Sequence, residues 1–168
     1  SIDRVTLGWQ HSDLLILAAR PSMGKTAFVL TMARNMAVEH NVPVAFFSLE
    51  MSSLQLVKRL MISETGLDAE KIKGGKKLAD YEWAQMEMRL KQLSKAPLYI
   101  DDTPSLSIYE FRSKARRLVA NSGVKMIIID YLQLMTGPPE LAGMREQEVS
   151  AISRSLKAIA KELNIPIL

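Results

Sequence analysis

Short apolar runs alternate along this chain with longer segments of helical period, and that alternation most narrows the folds open to it. The runs are LLILAA (14–19), VAFFSL (44–49), LYI (98–100), MIII (126–129) and IPIL (165–168). An almost unbroken apolar run of this length suits a strand buried on both faces, as in a parallel sheet covered by helices. Helical segments are expected from Lys25 to about His40, from Ser52 to near Gly66, from Ala79 to Ser94, from Ser107 to the NSG at 121–123, and from Arg145 to Leu163. Ser52 and Gln55 have the spacing of a capping box. In the last segment Val149, Ile152, Leu156, Ile159 and Leu163 recur at threes and fours, which gives one buried stripe. The pattern predicts a doubly wound α/β fold, a mostly parallel sheet with helices on both faces.

Composition sets the outer bounds. The 168 residues suffice for one domain, and 48% apolar with 24% charged residues fits a globular protein. A net charge of +4 permits contact with a polyanion without requiring it. The absence of cysteine excludes disulfides and thiolate metal sites. No apolar run approaches the roughly 20 residues of a membrane span, and SIDRVTLGWQHSD carries no signal-peptide pattern. KGGKKL (73–78) and TGPPELAG (136–143) read as loops. The chain begins without Met and ends on an apolar run. Residues 1–168 are therefore expected to be one part of a longer protein, a domain incomplete at its C-terminal side.

The stretch ARPSMGKTA, residues 19–27, follows the first apolar run and opens the first helix. It matches the phosphate-cradle pattern G-x-x-x-x-G-K-[ST], except that Ala19 replaces the first glycine. At such a strand-to-helix junction backbone N–H groups converge and the helix dipole adds positive charge. Ala19, Arg20, Pro21, Ser22, Met23, Gly24, Lys25, Thr26 and Ala27 form the candidate nucleotide loop. Lys25 would reach the β- and γ-phosphates, and Thr26 would ligate Mg²⁺. Ala19 restricts the backbone where glycine would not, but it adjoins a strand end, where ordinary dihedrals suffice.

Ligands of parallel sheets sit beyond the carboxyl ends of the strands, and three runs end there in acids. KMIIID places four apolar residues before Asp130, the candidate Mg²⁺ carboxylate. Glu50 follows VAFFSL and is the candidate base for an attacking water. Its place just before Ser52 equally suits an acid complementing a helix start. Asp101 and Asp102 end PLYIDD, and Asp102 before TPS reads as a turn or cap residue. Arg112, Lys114 and Arg116 read as a solvated helix face. Trp9 and Trp83 are expected in core or interface packing. His11 and His40 lack metal-ligand spacing, and the ten methionines read mostly as core filler.

DLLILAARPSMGKTAF, FFSLEM, YIDDTP, IIIDYLQLM and REQEVSAISRSLKAIAKELNIPI occur in that order. Together they closely resemble the motor domain of bacterial replicative DNA helicases of the DnaB type, over essentially the whole chain. That family's nucleotide loop also reads A-R-P-S-x-G-K-T, which makes Ala19 a family trait. The resemblance implies a RecA-like P-loop NTPase fold, ATP and Mg²⁺ as cofactors, and a hexameric ring around single-stranded DNA with ATP between subunits. It implies Glu50 as the catalytic glutamate, Lys25 and Thr26 as the Walker A lysine and threonine, and Asp130 as the Walker B aspartate. Gln133 belongs to the same motif. It further implies primase and a helicase loader as partners, and a bacterial cytoplasmic protein at replication forks. The loop 136–147 would line the ring interior, but it has no aromatic and only Arg145 as a cation, so DNA contact from it is not expected. Later parts of such a motor, including its polar sensor and arginine finger, lie outside these residues. The segment alone is therefore expected to bind nucleotide, hydrolyse it feebly and not unwind DNA. Two other classes fit the same motifs: a filament-forming recombination or repair ATPase, and a slow nucleotide-gated loader.

Overall fold

The computed structural model describes residues 2–66 and 77–168, with side chains from Arg4 onward. The expected loop at 73–78 lies mostly outside those residues. At the centre is a parallel sheet in the order β2-β1-β3, with β1 Val44–Ser48, β2 Leu98–Asp101 and β3 Met126–Asp130. Val44 pairs with both Leu98 and Met126, and Ser48 pairs with Asp130. The three strands are thus in step, and their carboxyl ends reach one edge together.

The two outer runs depart from expectation. Residues 166–168 lie against β3 and residues 13–15 against them, through isolated parallel bridges and not full strands. The Leu15 N–H donates to the Ile167 carbonyl at 2.8 Å, and the Ile129 N–H to the Leu168 carbonyl at 2.8 Å. Ile16 and Leu17 stand 72% and 42% exposed, although their apolarity suggested burial on both faces. The run 14–19 is therefore a strand only at its start.

Alternate residues of the central strands face two cores. Val44, Phe46, Met126 and Ile128 pack on one side against α2 (Lys25–Arg34) and α3 (Ser53–Thr65). Ala45, Phe47 and Ile127 pack on the other side against α5 (Ile108–Ser122) and α6 (Arg145–Leu163). Phe47 meets Phe111 edge to face, with centroids 4.9 Å apart. Among the described residues the other α-helices are α1 (Ile2–Thr6) and α4 (Asp80–Lys95). Helical chain continues from α2 through a π-helical turn at Asn35–Glu39, so the expected 25–40 segment is close to whole.

Capping follows the sequence. Ser52 Oγ accepts from the Gln55 N–H at 3.3 Å while Gln55 Oε1 accepts from the Ser52 N–H at 3.0 Å. Ser107 caps α5, and the left-handed Gly66 and Gly123 end α3 and α5. Ile152, Leu156 and Ile159 are buried along α6, as its spacing predicts. Two expectations fail in part. Trp83 is 52% exposed on α4 and Trp9 is 37% exposed, so neither is a core residue. Of the methionines, Met86, Met126 and Met135 are buried, while Met23, Met88 and Met144 stand exposed. A methionine at a helical position is compatible with either side, because its type carries little directional information.

Candidate functional site

The carboxyl ends of β1 and β3 meet the start of α2 at a cleft of about 620 Å³, within the range of small-molecule sites. Ala19, Arg20, Pro21, Ser22, Gly24, Lys25, Thr26 and Ala27 line it, with Glu50, Arg59, Tyr131 and Gln133 opposite. Of the expected loop residues Met23 is left out. Its side chain is 73% exposed, at a turn where the Met23 N–H donates to the Arg20 carbonyl at 3.3 Å.

The loop's backbone accounts for its residue types. Gly24, the N-cap of α2, sits at φ +82, a conformation that favours glycine. Ser22 also has a left-handed φ of +64, whereas Ala19 is not among the residues with positive φ. The missing first glycine therefore costs nothing in backbone strain. No side chain caps α2, and its first intrahelical bond is from the Phe28 N–H to the Gly24 carbonyl at 2.9 Å. The preceding N–H groups are those a helix start offers to an anion.

Below the loop, Asp130 is buried at the end of β3. Thr26 Oγ1 donates to its Oδ2 at 2.6 Å, and Lys25 Nζ stands 3.4 Å from its Oδ1. Lys25 Nζ also lies 4.0 Å from the centre of the Tyr131 ring. The Asp130–Tyr131 peptide is cis. The paired hydroxyl and carboxylate are hard oxygen donors of the kind Mg²⁺ takes alongside phosphate oxygens and water. Among the described residues no group of three or more His, Cys, Asp or Glu gathers into an all-protein metal cage. Thr26 and Asp130 are oxygen donors that could serve an ion completed by phosphate and water.

Glu50 stands exposed on the same cleft. The start of α3 is capped by Ser52 with Gln55, so Glu50 makes no hydrogen bond of that capping box. The other acids belong to structure. Asp102 accepts from the Ser53 N–H at 2.7 Å and so caps α3 from a distant loop, which holds its carboxyl below the usual range. Asp101 is bound by Lys114 Nζ at 2.7 Å and the Thr103 N–H at 3.0 Å. Burial opposes its ionisation, but those hydrogen bonds outweigh burial and lower its pKa. Arg112 and Arg116 both pair with Glu162, as a solvated face would.

Tyr131 and Arg59 were not singled out by sequence. Tyr131 had a signal, standing next to Asp130 in a motif whose following residues share the strand's exit. Arg59 had none, because an arginine on α3 looks like any solvated helix residue. Gln133 does reach the cleft, and its backbone carbonyl accepts from Arg145.

The family model for the DnaB-like helicase C-terminal domain matches residues 1–168. The chain belongs to that family. It is 51% identical over 167 residues to the replicative DNA helicase DnaB of Geobacillus stearothermophilus, covering 99% of this chain and 37% of that protein. It is 47% identical to the replicative DNA helicase DnaC of Bacillus subtilis (strain 168), with the same coverage. This DnaB-like chain therefore spans little more than a third of the length of those relatives. Among solved structures, a DnaB-like replicative helicase, studied with its primase interactions, superposes with a TM-score of 0.88 at 35% identity, over 99% of this chain and 40% of that one. A separately solved ATPase domain also gives 0.88, at 36% identity over 99% and 59%. A KaiC-like protein from Pyrococcus horikoshii OT3 gives 0.60 at 20% identity over 95% and 62%, a likeness of fold alone. The expected RecA-like α/β fold and DnaB-type family both hold. No helix among the described residues is long and apolar enough to cross a membrane.

Proposed function

We propose that this chain is the nucleotide-binding part of a replicative DNA helicase motor, which couples ATP hydrolysis to movement along single-stranded DNA and to duplex unwinding. The observation that carries the reading is the joining of Thr26, Lys25 and Asp130 beneath an uncapped helix start, with Glu50 on the same cleft. Phosphates would lie on the 19–27 loop, held by its N–H groups and by Lys25. Thr26 directly, and Asp130 through water, would hold Mg²⁺, which when bound would neutralise charge building on the phosphate oxygens. Glu50 would orient an attacking water and accept its proton. In the whole protein, hexamer formation around DNA would complete each site with a neighbour's arginine. Primase and a loader would be partners, and the bacterial cytoplasm at replication forks the setting.

The test is ATP hydrolysis by the full-length protein and by residues 1–168, each with and without single-stranded DNA. Strong DNA stimulation in the full-length protein and near silence in the segment support the motor reading. Slow, DNA-indifferent turnover in both would replace it with a nucleotide-gated loader.

A further inference from the structure

We propose that Tyr131 is a positioning residue that keeps the Lys25 ammonium on the phosphate side of the cleft. The inference rests on the nucleotide reading above and adds to it a residue acting through lysine.

Lysine is a point charge on a flexible four-carbon stem, so a phosphate-binding lysine must be held in place. Asp130 does this only in part. Its Oδ2 already accepts from Thr26 at 2.6 Å, and its Oδ1 lies 3.4 Å from Nζ, long for a charge-assisted hydrogen bond. The Tyr131 ring, with its centre 4.0 Å from Nζ, supplies the second contact. A cation at that distance is drawn to the negative face of an aromatic ring. The tyrosine hydroxyl takes no part in these contacts.

The surrounding space gives the contact a purpose. A second cavity of about 190 Å³ adjoins the cleft, lined by Leu15, Ile129 and Leu156 and also by Asp130. Lys25 and Tyr131 line both spaces. The ring thus stands where the two spaces adjoin, with the lysine beside it. Without the ring the flexible stem keeps only the long Asp130 contact and can swing away from the cleft. An incoming phosphate would then meet the ammonium less often. The loss should fall on capture of nucleotide more than on the chemical step.

The experiment uses the full-length protein. It measures affinity for the Mg²⁺ complex of a non-hydrolysable ATP analogue, together with KM and kcat for ATP in the presence of single-stranded DNA. Tyr131→Phe should stay within about twofold of wild type, and Tyr131→Leu should bind about three- to tenfold more weakly, with KM raised and kcat little changed. Phenylalanines of increasing ring fluorination at position 131 keep the shape but drain the ring's negative face, and affinity should fall stepwise along the series. That series decides the matter if the leucine variant does not fold. In a Lys25→Met background, Tyr131→Leu should have no further effect. A flat fluorination series, or an undiminished leucine effect beside Lys25→Met, overturns the role of Tyr131 while leaving nucleotide binding intact. Wild-type protein that binds no nucleotide overturns both readings.

Discussion

Gly24 and Ala19 divide the demands of the nucleotide loop between them. Within the chain a Cβ on Gly24 would meet nothing within 4 Å, and its φ of +82 is what favours glycine there. Ala19 has no such requirement, and a side chain is tolerated there. The catalytic proposal rests on Glu50, exposed and free of the caps that engage Asp102 and Asp101. Glu50→Gln keeps shape and hydrogen bonding but removes the base. In the full-length protein it should lower DNA-stimulated turnover about 10²- to 10⁴-fold while leaving ATP affinity nearly unchanged. Steady-state kinetics beside equilibrium binding would check this, and unchanged turnover would remove Glu50 from the mechanism.

Between elements, two polar ties hold the layers around the sheet. Arg34 near the end of α2 pairs with Glu64 near the end of α3, and also with Glu39. Glu64 is 3% exposed, and its second carboxylate oxygen has no hydrogen-bond partner in the structure. The Glu64 hydrogen bond outweighs the effect of burial and raises the Arg34 pKa. Arg34→Met would leave a buried carboxylate uncompensated and should cost about 3–5 kcal/mol. The double variant Arg34→Met, Glu64→Leu should recover most of that, and urea unfolding would measure both.

The second tie joins the end of β2 to α5 through Asp101 and Lys114. The Asp101 pKa is lowered in the fold, so its contribution to stability is present above the ordinary carboxylate range near pH 4. It is lost as pH falls through the lower folded value. Unfolding midpoints taken from pH 5 to pH 2 should drop across that window. The drop should be smaller in Asp101→Asn, which cannot titrate there.

For the whole molecule, the loop after β3 bears on where DNA is gripped. Arg145, the cation expected there, is bound to the Gln133 carbonyl and to Glu148. Glu148 also accepts from the Gly137 N–H at 3.0 Å, which with Arg145 lowers its pKa. A Cβ on Gly137 would fall 2.6 Å from Glu148 Cγ, so the loop is laid tightly on α6. These contacts leave Arg145 as a strut between cleft and helix. Arg145→Ala should keep the full-length protein's affinity for single-stranded DNA within about twofold, since one phosphate contact is not being lost. Its melting temperature should fall. A marked loss of DNA affinity with a smaller salt dependence would instead make Arg145 a phosphate contact.

Spacing along the chain was enough to read the alternation of elements, the cap at Ser52, the buried stripe of α6 and the loop at 19–27. Each is local, and local backbone physics suffices to interpret it. Pattern alone left Glu50 divided between a catalytic and a helix-end role, because an acid before a helix satisfies both descriptions. It took the folded chain to show that Glu50 shares a cleft with Lys25 and that Asp102 caps α3 across 49 residues. Folding also settled the fate of the outer runs, whose apolarity was equal to that of β1. A strand needs a backbone partner at every rung, and Val44–Phe47 has one on each side, whereas the outer runs join the sheet through isolated bridges at Leu14 and Ile167. Tyr131 entered the site through where the end of β3 delivers its ring, beside the Asp130 that its motif marks.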